Sequence, residues 1–314
     1  MLYIAAGVLA GGSMLFVLAC RCFPGLAEGW MEAVFAPVAS VLASLSGKCA
    51  FPIAEPLALL LVVLLVFLLF RSRRGACLLL SGIVAGYALF WTPAYFVPER
   101  YPVDGQVESG ALTAVCGELI ERLNAYGAFA LPDDLCERAL EAASLAEPPA
   151  PLTAAPKYAR YPEWMRALSL AGLYVPWTFE AVVNPDEAEA GRPFTAVHEL
   201  MHMGGAADEG QANIYAYVAC QQAGGAFAYS SDLWALQYAM AALGELDGAA
   251  WNDCLGRLSE SVRADFFAIG GGAPPSAASG GAVEAFLRLG GISEKTANYG
   301  ALAVWLCNAY CMNA

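Results

Sequence analysis

The sequence predicts a membrane-anchored, mainly helical (α+β) protein, in which three N-terminal transmembrane helices precede a mostly helical domain with a small sheet. Hydrophobic residues make up 59% of the 314 residues and charged residues only 14%, which is too apolar for an average soluble protein. Charge is also unevenly spread, since residues 1–94 hold three acidic side chains and residues 95–314 hold 26. The chain therefore divides into a membrane region, residues 1–96, and a more polar domain, residues 97–314.

Three apolar stretches account for the predicted spans. Residues 2–20 carry no charge, residues 56–70 contain the run LALLLVVLLVFLLF, and residues 76–96 end in aromatic side chains typical of the membrane interface. Each stretch approaches the about 20 apolar residues that a bilayer requires. The first lacks the basic start and the cleavage site of a signal peptide, so we favour an anchor over that alternative. Residues 23–52 are expected to form an outer loop with an amphipathic or re-entrant segment at the membrane surface.

The orientation follows from a short basic loop between the second and third spans. This loop holds Arg71, Arg73 and Arg74, and loops rich in arginine stay on the cytoplasmic side. The sequence therefore predicts a multi-pass protein of the cell membrane, with the lipid bilayer as a partner and residues 97–314 outside the cytoplasm. Six of the ten cysteines lie in residues 97–314, where an oxidising exterior would permit disulfides, although their pairing cannot be read from the sequence. A net charge of −13 argues against nucleic acid as a partner.

The polar domain reads as a series of helices with one extended segment. Residues 173–184 are rich in aromatic and β-branched side chains and predict a strand. Residues 194–203 predict a helix that ends at Gly204 and Gly205, and a further helix begins at residue 208. The chemically informative residues lie in these two helices.

The first of these helices contains His198-Glu199-Leu200-Met201-His202. Positions i and i+4 share one helix face, so both imidazoles can bind one zinc ion, Zn²⁺. The glutamate between them can then take a proton from a zinc-activated water as general base. The chain has only two histidines, and both belong to this motif. The alternative is a helix with two surface histidines.

A catalytic zinc usually has three protein ligands, and no third histidine exists here. The third ligand must therefore be a carboxylate. Glu209 lies seven residues beyond His202, at the start of the next helix, where a helix–turn–helix would return it to the histidine pair. Asp208 is the competing ligand and has an alternative role as a helix N-cap. Asn213, one turn after Glu209, is expected to contact the ligand side chains without binding the metal itself. Asp208 is a second candidate for this supporting role.

These residues resemble two known groups of proteins. The motif and the following E-x-x-x-N are similar to the gluzincin metallopeptidases. The whole chain more closely resembles the bacterial membrane family called domain of unknown function 3810. The stretches that carry this second resemblance are FWTPAYFVPERYPV, LYVPWTFEAVVNP, FTAVHELMHMGGAADEGQANIYAYVAC and TANYGALAVWL. The resemblance implies a zincin-like domain with His198, His202 and Glu209 as ligands and Glu199 as base. The chain departs from the expected pattern at Gln211, where an acidic residue is expected.

Weaker predictions concern the substrate. In zincin peptidases a strand beside the metal helix binds the substrate backbone, and residues 175–184 are the candidate, with Trp177, Glu180 and Asn184 facing the cleft. Ordinary packing in the sheet is the alternative for these residues. A donor that stabilises the oxyanion is also needed, and we select Tyr299, for which packing is again the alternative.

Together these observations predict a membrane-anchored, zinc-dependent metallopeptidase of gluzincin type that cleaves a peptide or protein near the membrane surface. One alternative is a signalling or interaction module that binds zinc without catalysis. A second is a zinc hydrolase that acts on a non-peptide amide of the cell envelope. An intramembrane protease is disfavoured because the motif lies about 100 residues beyond the last predicted span in sequence.

Overall fold

A computed structural model describes residues 2–103, 105, 107–270 and 300–311. The described chain is mainly helical with one small sheet, as predicted. In the membrane region the helices are α1 (Leu2–Cys22), α2 (Pro24–Trp30), α3 (Ala36–Ser46), α4 (Ala54–Arg71) and α5 (Arg73–Phe90). The remaining helices are α6 (Ser109–Ala125), α7 (Leu135–Ser144), α8 (Pro162–Ala167), α9 (Arg192–Met203), α10 (Glu209–Ala223), α11 (Gly225–Leu246), α12 (Gly248–Arg257), α13 (Glu260–Ala268) and α14 (Ala301–Cys311).

Four helical segments of the described chain are long and apolar enough to cross a membrane, judged by length and composition: Leu2–Cys22, Pro24–Ser46, Ala54–Arg71 and Arg73–Phe96. The third of these, α4, is apolar on every face and buries only Ala54. A helix without a polar face is typical of a membrane span. The number of helices that cross a membrane stays a prediction.

The segment Pro24–Ser46 differs from the outer loop predicted over residues 23–52. It is one continuous run of helix, in which a π-helical turn, Met31–Phe35, joins α2 to α3. Its buried face, formed by Met31, Phe35, Ala39 and Ala43, belongs to the same hydrophobic core as the polar domain. This packing agrees with a segment that lies against the domain, although its composition alone would allow a span.

The membrane region and the polar domain therefore share a core. Trp91, Ala94 and Tyr95, which follow α5, also lie in that core. The division at residue 96 describes the change in composition, and the hydrophobic packing continues across it.

The sheet has three strands, β1 (Lys157–Tyr158), β2 (Gly172–Val175) and β3 (Glu180–Val183), in the order β1-β3-β2. β3 is central, parallel to β1 and antiparallel to β2. The single strand predicted over residues 173–184 is wrong, because the chain turns back between Val175 and Glu180. Pro176 has no N–H to continue a ladder, and the Thr178 N–H donates to the Val175 carbonyl across the turn at 3.3 Å. β1 and β2 are the two edge strands of the sheet, and β2 packs with β3 against α9.

The cysteines whose side chains the structure describes are free. All nine whose side chains the structure describes are thiols without a disulfide partner, five of them buried. The fold of the described residues is therefore held by its hydrophobic core without a covalent crosslink.

Candidate metal centre

Helix α9 places the two histidines side by side. Every residue from Pro193 to Met203 except His198 is buried, and the rings of His198 and His202 lie 4.6 Å apart between centroids, nearly perpendicular. The Phe194 N–H at the start of the helix donates to Ser230 Oγ of α11 at 3.1 Å. This bond ties the first turn of α9, whose N–H groups have no partner inside the helix, to the core.

The turn after α9 is closely packed, which explains its two glycines. Gly205 has a φ of +94°, a conformation that a side chain would strain. A Cβ on Gly204 would stand 2.7 Å from Pro148 Cβ, and the Gly204 carbonyl accepts the Ala150 N–H at 2.8 Å. Residues 148–152 thus pack onto the turn, and the chain reverses directly into α10.

The reversal brings Glu209 onto both histidines. Glu209 Oε2 lies 3.3 Å from His198 Nε2, and Oε1 lies 3.5 Å from His202 Nε2. These three side chains are the only group of metal-ligating residues found together among the described residues. Zinc–ligand bonds of about 2.0–2.1 Å in tetrahedral geometry separate neighbouring ligand atoms by about 3.3 Å. The two nitrogen–oxygen distances, each to a different oxygen of Glu209, are close to this spacing, and one ligand atom from each of the three residues lies within 4.8 Å of the others.

The hydrogen bond of His202 sets its tautomer. Its Nδ1 lies 2.6 Å from the Ala206 carbonyl, and since a carbonyl only accepts, Nδ1 carries the proton. Nε2 is therefore the nitrogen that faces Glu209 and that would bind a metal once it has lost its proton. The rings of Trp91 and His202 also pack edge to face, with centroids 5.6 Å apart. The buried Nδ1 of His198 has no hydrogen-bond partner among the described residues.

The charges of the cluster suit a cation. Burial raises the pKa of Glu209, but the charges and hydrogen bonds of His202 and His198 outweigh it and hold this pKa well below its ordinary range. Burial lowers the pKa of His202, whereas the nearby Glu209 carboxylate raises it to about 9. Glu209 therefore stays ionised between the two rings, which is the state of a carboxylate that binds a metal.

Glu199 is buried beside the edge strand. A Cβ on Gly172 of β2 would stand 2.6 Å from the Glu199 Cγ and Oε1 atoms, so the carboxylate lies directly against this glycine. Burial raises the pKa of Glu199, and the two histidines and a hydrogen bond from the Tyr174 backbone N–H only partly oppose this. The carboxyl group is thereby held in place with a pKa above its usual value, closer to neutral pH, as a general base needs.

Gly172→Ala tests this contact. The added methyl group must displace the Glu199 side chain, because the new Cβ would stand 2.6 Å from both its Cγ and its Oε1 atoms. We expect kcat for the predicted peptide hydrolysis to fall about 10- to 100-fold, because misplacement of a catalytic group by about 1 Å has effects of this size. Zinc content should stay unchanged. Gly110→Ala is the control, because a Cβ there meets nothing within 4 Å. An unchanged kcat would show that the carboxylate position does not matter.

Asp208 and Gln211, the polar residues closest to Glu209 in the sequence, have separate roles. Asp208 is the N-cap of α10, and its Oδ1 accepts the Gln211 N–H at 2.9 Å. The Gln211 side chain accepts the Tyr101 N–H at 3.1 Å and donates to the Tyr101 carbonyl at 2.7 Å. Gln211 therefore points away from the histidines and ties the segment after α5 to α10, and Glu209 supplies the carboxylate at the site.

Asn213 is fully buried one turn beyond Glu209, and both polar atoms of its amide lack hydrogen-bond partners among the described residues. An unsatisfied buried amide is costly and points to a missing partner. Its supporting role toward the ligands stays a prediction.

The residues predicted to bind substrate are dispersed. Glu180 does not face the cleft: strand alternation puts it on the sheet face opposite α9, where it pairs with Lys157 and accepts the N–H groups of Ile53 and Ala54 at 2.9 and 2.7 Å. Asn184 is also structural, since it donates to the Leu170 carbonyl and accepts the Asp186 N–H. Trp177 is 43% exposed and packs on α5 through Tyr87. Tyr299 lies outside the described residues.

Sequence reasoning missed three residues beside the site: Gly172, Tyr174 and Trp91. The glycine begins the strand, and in isolation it reads as a turn residue. Trp91 reads as an interface aromatic, and only its contact with His202 shows its second role. No pattern in the sequence relates these residues to His202 or Glu199, because the contacts depend on how β2 and the end of α5 pack on α9.

The comparisons with known proteins identify the family. No curated protein and no solved structure matches the chain. The family described as "Protein of unknown function (DUF3810)" matches residues 30–307, which include α9, α10 and all three strands. The resemblance read from the sequence is thereby confirmed at the level of the family. The chain belongs to the DUF3810 family.

Proposed function

We propose that this protein is a membrane-anchored, zinc-dependent metallopeptidase of gluzincin type. The observation that carries the proposal is the contact of the Glu209 carboxylate with the Nε2 atoms of His198 and His202, at 3.3 and 3.5 Å, beside the buried Glu199. A set of three protein ligands is typical of catalytic zinc, since the fourth position remains open to water or substrate.

The residues of the chain have distinct tasks in this reaction. A zinc ion bound here would supply Lewis-acid polarisation of water and of the scissile carbonyl. Glu199 accepts a proton from the attacking water and passes it to the leaving amine. The hydrogen bond from Tyr174 and the contact with Gly172 hold the Glu199 carboxylate in place during this transfer. Ala206 keeps the Nδ1 proton on His202, so that Nε2 stays a ligand.

The proposed substrate is a peptide or protein near the membrane surface. Trp91 follows α5 immediately, and its ring contacts the ring of His202. The candidate metal centre therefore lies close to the end of an apolar helix. The loop with Arg71, Arg73 and Arg74 lies at the opposite ends of α4 and α5. By the positive-inside rule, we expect that loop to lie in the cytoplasm. The metal centre would then lie at the outer surface of the cell membrane. We propose α1, α4 and α5 as the spans and Pro24–Ser46 as a segment that lies at this surface.

The alternatives have less support. A purely structural zinc site would be closed by a fourth protein ligand, and Asp208 was the candidate for it. Its Oδ1 instead caps α10, and it does not belong to the ligand cluster. The edge strand beside Glu199 favours an extended peptide over a non-peptide amide, because strand edges bind peptide backbones.

The test is metal content and hydrolysis by the full-length protein in detergent. We expect about one zinc per chain, cleavage of a mixed fluorogenic peptide library, loss of both on treatment with a chelator, and recovery on addition of zinc. His202→Ala should lack both zinc and activity. Zinc without hydrolysis of any peptide would favour the interaction module, and absence of zinc would refute the metal site.

A further inference from the structure

An apolar cavity of about 530 Å³ lies on the membrane side of the sheet. Its walls are the first turns of α4, one residue of α5, the α8 helix and the β2–β3 hairpin. The large apolar side chains among them include Leu57, Leu61, Ile83, Trp164, Leu173 and Val175. The volume falls within the range of about 300–1,000 Å³ that is usual for ligand sites.

In the proposed membrane arrangement, the cavity lies at the depth of the hydrocarbon. Leu61 is seven residues into α4, and Ile83 is seven residues before the end of α5, so both lie about 10 Å along their helices from the outer ends. The hairpin reaches the same level, because Trp177 Nε1 lies 3.4 Å from the Ile83 carbonyl. Since half of a bilayer core is about 15 Å thick, the hairpin tip and the cavity lie within the outer leaflet of the proposed arrangement.

Strand β2 contacts both the cavity and Glu199. The Asn184 N–H donates to the Ala171 carbonyl at 2.8 Å, which sets the alternation of β2 against β3. The backbone groups of Gly172 and Tyr174 therefore point to the outer edge of β2, the edge where Glu199 receives the Tyr174 N–H. The side chains of Leu173 and Val175 line the cavity on the other face of the sheet.

A peptide added to this edge would present every second side chain to the cavity, since side chains alternate along a strand. Its remaining side chains would face α9. From Gly172 to Val175 such a peptide would run away from Glu199 and toward the hairpin tip, into the outer leaflet. Apolar side chains are thus favoured on this stretch of substrate.

We propose that the substrate is a peptide segment anchored in the same bilayer, which extends along β2 and inserts large apolar side chains, at alternate positions, into this cavity. The inference rests on the proposed function for the cleavage step and adds the substrate class. We favour a peptide over a lipid acyl chain because the wall of the cavity is a strand whose backbone hydrogen-bonding groups face the candidate base. One carboxylate, Glu55, also lines the cavity, and its Oε1 is engaged by the N–H groups of Arg160 and Tyr161.

The test uses the full-length protein in lipid nanodiscs and a matched pair of variants. Ala58 is an exposed residue of α4 that lines the cavity, so Ala58→Trp fills the cavity from its membrane side. Leu60→Trp is the control, because Leu60 is 60% exposed on the same helix and does not line the cavity. Zinc content is measured for each protein.

Two peptides anchored by the same transmembrane segment serve as probes, with leucine or serine at alternate positions beside the scissile bond. We expect kcat/KM to be at least about tenfold higher for the leucine peptide, since a pocket discriminates 10- to 200-fold per methylene group. The preference should disappear in Ala58→Trp and persist in Leu60→Trp. Equal cleavage of both peptides by the zinc-loaded wild type would overturn the inference and leave the proposed function standing.

Binding is read separately from cleavage. In the Glu199→Gln protein, a leucine peptide that carries a benzophenone should form crosslinks to residues 54–61 or 173–177. Adding Ala58→Trp to this protein should reduce the crosslinking yield at least tenfold. Crosslinks to these residues without hydrolysis by the wild type would support peptide binding at the cavity and refute the proposed peptidase activity. A photoreactive phospholipid that labels these residues and is not displaced by saturating peptide would overturn the inference in favour of a lipid.

Discussion

Replacing Glu199 with glutamine is expected to reduce peptide hydrolysis by about 10²–10⁴-fold while zinc content stays at that of the wild type. The amide has nearly the shape of the carboxylate and cannot take a proton from water. Its oxygen can still accept the Tyr174 N–H, so the side chain should keep its place against Gly172. Because burial disfavours the charged form of Glu199, loss of the charge should leave Tm no lower than that of the wild type.

Three measurements check this prediction: kcat with a fluorogenic peptide, zinc per chain and the thermal unfolding midpoint. Glu189→Gln is the matched control, since Glu189 is an exposed glutamate three residues before α9. Its activity should equal that of the wild type. If Glu199→Gln keeps more than about a tenth of the activity, then another group acts as the base. A loss of zinc together with activity would mean that Glu199 supports the metal site.

Glu209→Gln is expected to lose both zinc and hydrolysis. The carboxylate is the only anionic group that contacts both histidines among the described residues, and a neutral amide is a poor ligand for zinc. Its loss should weaken zinc binding by more than the 10- to 100-fold that is typical of outer-shell partners. The measurement is the zinc dissociation constant, by competition with a chromogenic chelator.

Asp208→Asn is the matched control for this substitution. Asparagine caps a helix about as well as aspartate does, so the bond to the Gln211 N–H should persist with little change in stability. Zinc affinity and activity should be those of the wild type. The reverse pattern, with zinc lost in Asp208→Asn and kept in Glu209→Gln, would make Asp208 the third ligand.

The ligand set was predictable because it depends on local geometry. A four-residue spacing on a helix determines that His198 and His202 share a face, whatever the rest of the fold does. The two glycines predicted a tight reversal, and the return of Glu209 follows from that reversal over only seven residues. The choice between Asp208 and Glu209 needed the structure, since both residues stand at a helix start and only their side-chain directions differ.

The substrate side of the site was less predictable, for a physical reason that Glu180 illustrates. The sequence predicts one continuous strand over residues 173–184, and in such a strand Glu180 would lie beside the metal helix. The turn at Pro176 reverses the chain, and the register of β3 against β2 then puts Glu180 on the far face of the sheet. There it binds the N-terminus of α4 and Lys157. A change of one residue in register moves a side chain to the opposite face, so short strands are poorly determined by composition.

By itself, the sequence determined the membrane region, the mainly helical polar domain, the histidine pair with its glutamate, and the two candidates for the third ligand. These features depend on composition and on spacings within one or two helices. Only the tertiary structure decided that Glu209 meets both rings, that β2 is the edge strand beside Glu199, and that Pro24–Ser46 packs into the shared core. Those outcomes depend on contacts between segments far apart in the chain. The free energy of these contacts comes from burial and complementary packing, and no local sequence pattern reports it.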